Sequence, residues 1–217
     1  GPQVGMILLR IEATKDRIPP ETLDIMVAET QGSIGYLLSR SLRSEIPERE
    51  VAALLTEVLV DPDDPGFVHP SKPVGPFYAR EAADELIRSQ GWKMRESPGR
   101  GWRRVVPSPR PQEIVELHTI KDAVGHGHLI IAGGGGGVPV IKDQNGALQG
   151  IEAVIDKDLT ACKLAVAIEA ERFVILTDVP HVSTGFATRS ERRIGRMRAS
   201  VARRLLAEGE FPPGSMG

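Results

Sequence analysis

Apolar residues recur at helical spacing at the start of the chain, where Val4, Ile7, Leu8 and Ile11 follow Pro2. Proline suits the first turn of a helix, so this pattern predicts a helix entered from an upstream strand and ended by Pro19 and Pro20. Residues 22–44 repeat the spacing over a longer span, with Leu23, Met26, Val27, Ile34, Leu37, Leu38 and Leu42 apolar. Gly32 and Gly35 weaken that helix locally and predict close packing beside it. The β-branched and leucine-rich run 51–60 predicts one buried strand.

The next stretch, DPDDPGFVHPSKPVGPFY at 61–78, is dense in proline and glycine. It predicts an ordered, irregular lobe inserted at about 62–105, with a short helix at 81–89 as a rare regular element. Regularity then returns: a helix at 113–124, a strand at 128–132, five glycines at 133–137, and a strand at 138–141. A hairpin-type turn at 145–147, a strand at 153–155, a helix to about 170 and a strand at 173–177 follow. Such alternation predicts an α/β fold: a three-layer α/β/α sandwich with a mostly parallel open sheet covered on both faces.

Composition narrows the possibilities. The 217 residues suit one domain with an inserted lobe and an ample core. A formal net charge of −2 gives no whole-chain case for nucleic acid or membrane binding, and no apolar run reaches transmembrane length. Arg100, Arg103, Arg104 and Arg110, with Trp102 among them, form a basic local patch that reads as a solvated face or a contact to a small anion. Cys162 is the one cysteine, which excludes an internal disulfide and fits a reducing compartment. Its spacing with Leu159 and Val166 predicts a buried helical cysteine rather than a nucleophile. The chain starts without methionine and ends in the loop-like PPGSMG, so a natural fragment or a trimmed chain is expected.

The candidate chemistry starts at Asp156-Lys157-Asp158, where an apolar run stops and a helix begins. Asp156 suits the N-cap and Asp158 the first turn, but a lysine there opposes the helix dipole by about 0.3–1 kcal/mol when exposed. Lys157 therefore reads either as part of an anion site at the helix N-terminus or as a solvated surface lysine. The glycine run reads as an anion-binding nest, with a flexible loop as the alternative. It is neither a Walker A loop nor a dinucleotide fingerprint, since Val138 and Pro139 follow it. His126 and His128 share the spacing of one strand face but lack a third ligand for a metal, while His118 and His181 read as ordinary histidines. Thr177 and Asp178 end the last strand as a rim contact to a sugar or metal, or as a simple strand cap.

Six motifs together resemble carbamate kinase, of the amino acid kinase superfamily: SKPVGPF, GRGWRRVVPSPRP, GGGGVPVI, GIEAVIDKDL, ILTDV and PGSMG. The likeness runs the whole length of the chain. It implies an amino acid kinase fold, here incomplete, as one partial domain over 1–217. It also implies reversible phosphoryl transfer between ATP and carbamate, giving ADP and carbamoyl phosphate, with Mg2+, in a cytoplasmic homodimer. By this resemblance Lys157 neutralises the transferring phosphoryl group, Asp158 positions the lysines around it, and Lys72 reaches the substrate from the lobe. Gly1 and the loop Gly134, Gly135 and Gly136 belong to the substrate cradle, and Asp156, Thr177, Asp178, Gly214 and Met216 border the nucleotide. The chain departs from the family pattern at its ends: the first-strand Gly-Gly-Asn loop, the His-Gly-Asn before GPQVG and the Pro-Lys after GSMG are missing. Gly185 and Ala187 replace the family's asparagine and glycine, and 189–204 is rich in arginine. Two rival readings follow: another amino acid kinase acting on a carboxylate such as acetylglutamate, and a non-catalytic fragment that retains only binding or dimerisation.

Overall fold

The apolar stripes of the first forty-five residues fold as two helices, α1 (Pro2–Thr14) and α2 (Leu23–Glu45). These belong to a computed structural model that describes residues 2–14, 16–177, 179–186 and 188–211. Along α2 the buried residues are Leu23, Met26, Val27, Gln31, Gly35 and Ser39, a three-four spacing that gives one inward face. Gly35 allows close packing, since a Cβ there would lie 2.8 Å from the Cβ of Ala53, whereas Gly32 faces open space.

The run 51–60 divides into β1 (Val51–Ala53) and β2 (Glu57–Val60) instead of forming one strand. Gln31 is the physical reason. Its Nε2 donates to the Thr56 carbonyl at 3.0 Å, and its Oε1 accepts from the Thr56 N–H at 2.9 Å. One buried side chain thus pairs with both backbone groups of Thr56 at the break, taking its N–H alone and sharing its carbonyl with the Val138 N–H at 2.8 Å.

The lobe is more regular than its prolines suggest. It contains α3 (Pro65–Val68), β3 (Lys72–Tyr78), α4 (Arg80–Gln90), β4 (Lys93–Ser97) and β5 (Gly101–Val106). The three strands form an antiparallel sheet in the order β3-β5-β4. Pro73 and Pro76 are tolerated because β3 is an edge strand and its register breaks between Val74 and Tyr78. Three arginines of the patch are stacked on the lobe's own rings: Arg104 lies 4.5 Å over Trp92, and Arg100 and Arg103 lie 4.4 and 5.2 Å over Phe77, while Arg80, outside the patch, lies 4.7 Å over Trp102.

The expected helix 113–124 starts later, because Glu113 and Ile114 join β6 (Pro111–Ile114), paired antiparallel to β2. After it come α5 (Leu117–Gly125), β7 (Leu129–Ile131), a single 3-10 turn at Gly134–Gly136, β8 (Val138–Lys142), β9 (Leu148–Gly150) and α6 (Lys157–Ala167). The crossover pairings, β1–β7 and β2–β8, are parallel, with β6 and β9 as antiparallel flanks. Strand alternation then builds the layers. Val138 and Val140 pack in a cluster with Leu8, Met26 and Val27 from α1 and α2. Val58 and Val60 point the other way, into a cluster with Ile120 of α5 and Leu164 of α6.

Two expected strands do not form. Residues 153–155 are buried, but no ladder forms among the described residues: the Ala153 N–H turns back to the Ile151 carbonyl at 2.8 Å and the Val154 N–H donates to the Pro107 carbonyl at 3.0 Å. Residues 173–177 carry no regular element, and among the described residues no strand pairs with them. Val174 and Leu176 are exposed. The cysteine expectation also fails. Thr160, Leu164 and Ile168 form the inward side of α6 and its C-cap, so Leu159, Cys162 and Val166 turn outward and Cys162 is exposed.

Residues 1–173 form one compact unit and 174–217 a second. Within the second, β10 (Val182–Thr184) pairs antiparallel with β11 (Arg192–Ile194), and α7 (Ala199–Ala207) follows. The Glu210 carboxylate accepts from the Gly185 N–H, and Arg192 and Arg193 are exposed. No described helix is long and apolar enough to cross a membrane.

The glycine geometry of α2 has a measurable consequence. Gly35→Ala should lower stability by roughly 1–3 kcal/mol, the cost of overpacking against Ala53. Gly32→Ala should leave it unchanged or raise it by up to about 1 kcal/mol from helix propensity alone. Chemical denaturation of both variants checks the contrast; equal effects would contradict it.

Candidate active site

The N-terminus of α6 gathers four of the residues that the sequence singled out. Asp156 is the N-cap: its Oδ1 accepts from the Asp158 N–H at 2.9 Å. Its Oδ2 accepts from Lys72 Nζ at 2.6 Å, across 84 residues of sequence. Burial alone would push the Asp156 carboxyl up, but the hydrogen bond and charge of Lys72, with the backbone N–H groups, bring it below the usual carboxylate range. Lys157 turns to its neighbour, with Nζ 3.0 and 2.9 Å from the two carboxylate oxygens of Asp158. Its side chain remains 68% exposed, so the charge is held but still available to a ligand.

The work expected of Asp158 is therefore divided. Asp158 orients Lys157, and Asp156, expected at the nucleotide, holds Lys72. The helix dipole favours the two carboxylates and opposes Lys157, which is why an acidic residue on each side of the lysine makes physical sense.

The glycine loop stands beside this helix end. Thr160 Oγ1 donates to the Gly136 carbonyl at 2.8 Å, and Thr56 Oγ1 accepts from the Gly133 N–H at 2.9 Å. Gly136 and Gly137 have φ of 103° and 91°, and added Cβ atoms would lie 2.4 Å from the Ile155 carbonyl oxygen and 2.3 Å from a Val58 methyl. Glycine is required there on two counts, backbone conformation and close approach. Gly134 and Gly135 are exposed, and among the described residues no acceptor takes their N–H groups. Two such neighbouring N–H groups are what an anion-binding nest requires.

Thr177 lies in the second unit, while Gly1, Asp178, Gly214 and Met216 fall outside the described residues. Among the described residues no group of three histidine, cysteine or acidic side chains is placed to hold a metal. Asp156 and Asp158 are each occupied by a lysine, so these carboxylates do not by themselves fit a magnesium ion. His126 instead uses Nδ1 on the Asp122 carbonyl at 2.7 Å, its ring stacked 6.3 Å from that of His128.

Sequence reasoning missed Gln31, Thr56, Glu152 and Thr160. Gln31 carried a usable signal, a lone amide at a core position of an otherwise apolar helix stripe. Thr56, Glu152 and Thr160 carried none, because their partners lie far away in sequence.

Sequence and fold match known proteins. The amino acid kinase family model matches residues 9–217, and the chain belongs to that family. Relatives that it matches along its whole length are named as carbamate kinases or carbamate kinase-like proteins. That of Thermococcus kodakarensis is 47% identical over 100% of this chain and 70% of its own length. A crystal structure from Aeropyrum pernix K1 superposes with a TM-score of 0.91 at 47% identity, over 100% of this chain and 71% of that one. Carbamate kinase from Giardia lamblia bound to AMP-PNP superposes with a TM-score of 0.88 at 38% identity, over 100% and 70%.

The lowered pKa of Asp156 fixes the sign of a pH effect. Its stabilisation is complete above the unfolded carboxylate value and is lost as pH falls through the lower folded value. The unfolding temperature should therefore drop on acidification below about pH 4. Asp156→Asn should show a smaller drop over the same range in calorimetry.

Proposed function

We propose that this chain is a carbamate kinase in action as well as in family, transferring a phosphoryl group reversibly between ATP and carbamate. The observation that carries this reading is the pair of lysines, Lys72 and Lys157, each held by its own aspartate at one helix N-terminus beside a glycine nest. In the forward direction a carbamate oxygen forms a bond to the γ-phosphorus while the bond from that phosphorus to the β,γ-bridging oxygen breaks. ADP leaves with the electron pair, and carbamoyl phosphate results. Little covalent work falls to the protein. Lys157 offsets the charge on the transferring group, Lys72 steadies the carbamate side, and the Gly134 and Gly135 N–H groups cradle the anion. Asp156 and Asp158 hold the two lysines in register. Magnesium would arrive on the nucleotide phosphates rather than in a protein cage. The nucleotide contacts proposed for Thr177, Asp178, Gly214 and Met216, and a substrate contact for Gly1, rest on the motif resemblance alone.

A cytoplasmic homodimer goes with this reading. Support comes from α2, where Ile25, Gly32 and Tyr36 share one face, Ile25 and Tyr36 are exposed, and Gly32 leaves open space. Light scattering should give twice the chain mass at micromolar concentration, and Tyr36→Asp should shift the population to monomer. A strict wild-type monomer would count against the assignment of this face.

The rival reading, a kinase of a larger carboxylate such as acetylglutamate, is separated by binding. Carbamoyl phosphate should raise the unfolding temperature in a dose-dependent way, as any ligand of the native state does, and acetylglutamate should not. Lys157→Met should abolish that rise without lowering the unliganded stability, since it removes a charge unfavourable to the helix dipole. In the assay of ATP formation from carbamoyl phosphate and ADP it should cost on the order of a hundredfold in turnover. Normal turnover by Lys157→Met would overturn the role given to that lysine.

A further inference from the structure

Lys72 reaches α6 only because the lobe sits down on the body, and that seating has a specific architecture. In the β3–β5 pairing, Lys72 is opposite Val106 and Val74 is opposite Arg104, so these four side chains share one face of the lobe sheet. The surface that meets this face is the short segment from Glu152 to Asp156. Asp156 takes Lys72 at one end, and Glu152 Oε2 lies 3.6 Å from Arg104 Nη2 at the other. Between them Val154 joins Val74 and Val106 in one buried cluster, and its N–H bonds to the Pro107 carbonyl at 3.0 Å. Further ties of the lobe run to α1, through Tyr78 and Glu12 and through the close approach of Gly5 to Gly75, and Val74 and Val106 share their cluster with Leu23 and Met26 of α2.

Glu152 has a second attachment. Its Oε1 accepts from the N–H of Leu23 at 2.8 Å, at the first residue of α2, where the Thr22 side chain makes no capping bond. One carboxylate therefore fastens the lobe to the body and caps the long helix. Arg104 is largely buried, with its side chain 17% exposed, and its planar head is sandwiched between this carboxylate and the Trp92 ring at 4.5 Å.

We propose that Glu152 is a positioning residue for Lys72: through Arg104 it sets how the lobe seats on the body, and so where the Lys72 ammonium stands relative to α6. The kinetic part rests on the function proposed above; the conformational part does not. The two tryptophans of the chain, Trp92 and Trp102, both lie in the lobe, and Trp92 carries the Arg104 guanidinium on its ring, so tryptophan emission reports on the lobe and on the Arg104 contact.

The variant to make is Glu152→Gln, which keeps an acceptor for the Leu23 N–H and removes the charge facing Arg104. At low salt its tryptophan emission and acrylamide quenching should differ from wild type, and the two proteins should converge near about 1 M salt, where ion pairs are screened. Apparent affinity for carbamoyl phosphate, read by thermal shift, should weaken about two- to fivefold, as expected for a partly exposed pair. In turnover assays KM should rise by a similar factor with kcat nearly unchanged. Arg104→Met should cost less on the Glu152→Gln background than on wild type, because only its contact with the Trp92 ring is then left to lose. Fluorescence identical to wild type at low salt overturns the proposal. So does a difference that persists unchanged at high salt, or a fully additive double variant, since either would make Glu152 a helix cap and no more. If wild type fails to bind carbamoyl phosphate, the proposed function is at fault, and the fluorescence comparison still decides the role of Glu152.

Discussion

The contact on which the site depends is the pairing of Lys72 with Asp156. A lysine on an edge strand of an inserted lobe meets the N-cap of a helix that starts 84 residues later. The carboxylate serves two masters, one oxygen closing the helix end and the other holding the ammonium. Such double use removes the freedom of both partners at once. A solvent-exposed ion pair alone contributes little, about 0–1 kcal/mol, but this one is half-buried and shares its carboxylate with backbone N–H groups. Its main effect is geometric: it brings the second cation to within reach of the helix end where Lys157 stands.

The same economy recurs around the site. Gln31 and Thr56 hand the position of α2 to the glycine loop, the first by mimicking a strand neighbour and the second by accepting the Gly133 N–H. Thr160 ties the loop to α6 from the other side. An anion nest needs N–H groups that stay aimed without a ligand, and these side-chain bonds provide that stiffness in a run of residues with the least intrinsic stiffness of all. The long helix is thus a common reference: the glycine loop is measured from its middle, and the lobe, through Glu152, from its beginning.

The lobe shows how a polar, proline-rich insertion orders itself without a large core. Its buried apolar residues are few, and four arginines lie over its aromatic rings. Guanidinium stacking suits such a place because it combines a flat apolar contact with a charge that still reaches water. The basic patch in the sequence is for this reason an internal feature of the lobe more than a surface presented to a partner.

What the sequence determined by itself was local. Apolar spacing set α1, α2 and the alternation of the body, and the Asp-Lys-Asp step marked a helix start with its cap. The motif likeness identified the family and pointed to Lys72, Asp156, Lys157, Asp158 and the glycine loop. What only the tertiary structure decided was every feature whose hydrogen-bonding partner is distant. Residues 51–60 broke in two where the Gln31 amide took the Thr56 N–H, and 113–114 became strand because β2 lay open beside them. Residues 153–155 and 173–177 had strand composition but no ladder among the described residues, and composition cannot supply a neighbour. Cys162 faced outward because the inward side of α6 runs through Thr160 and Leu164, a choice of face that its weak amphipathic pattern left open. Glu152 stayed invisible for the same physical reason: a carboxylate beside an apolar run says nothing until the fold shows that its two oxygens meet a helix end and an arginine from different parts of the chain.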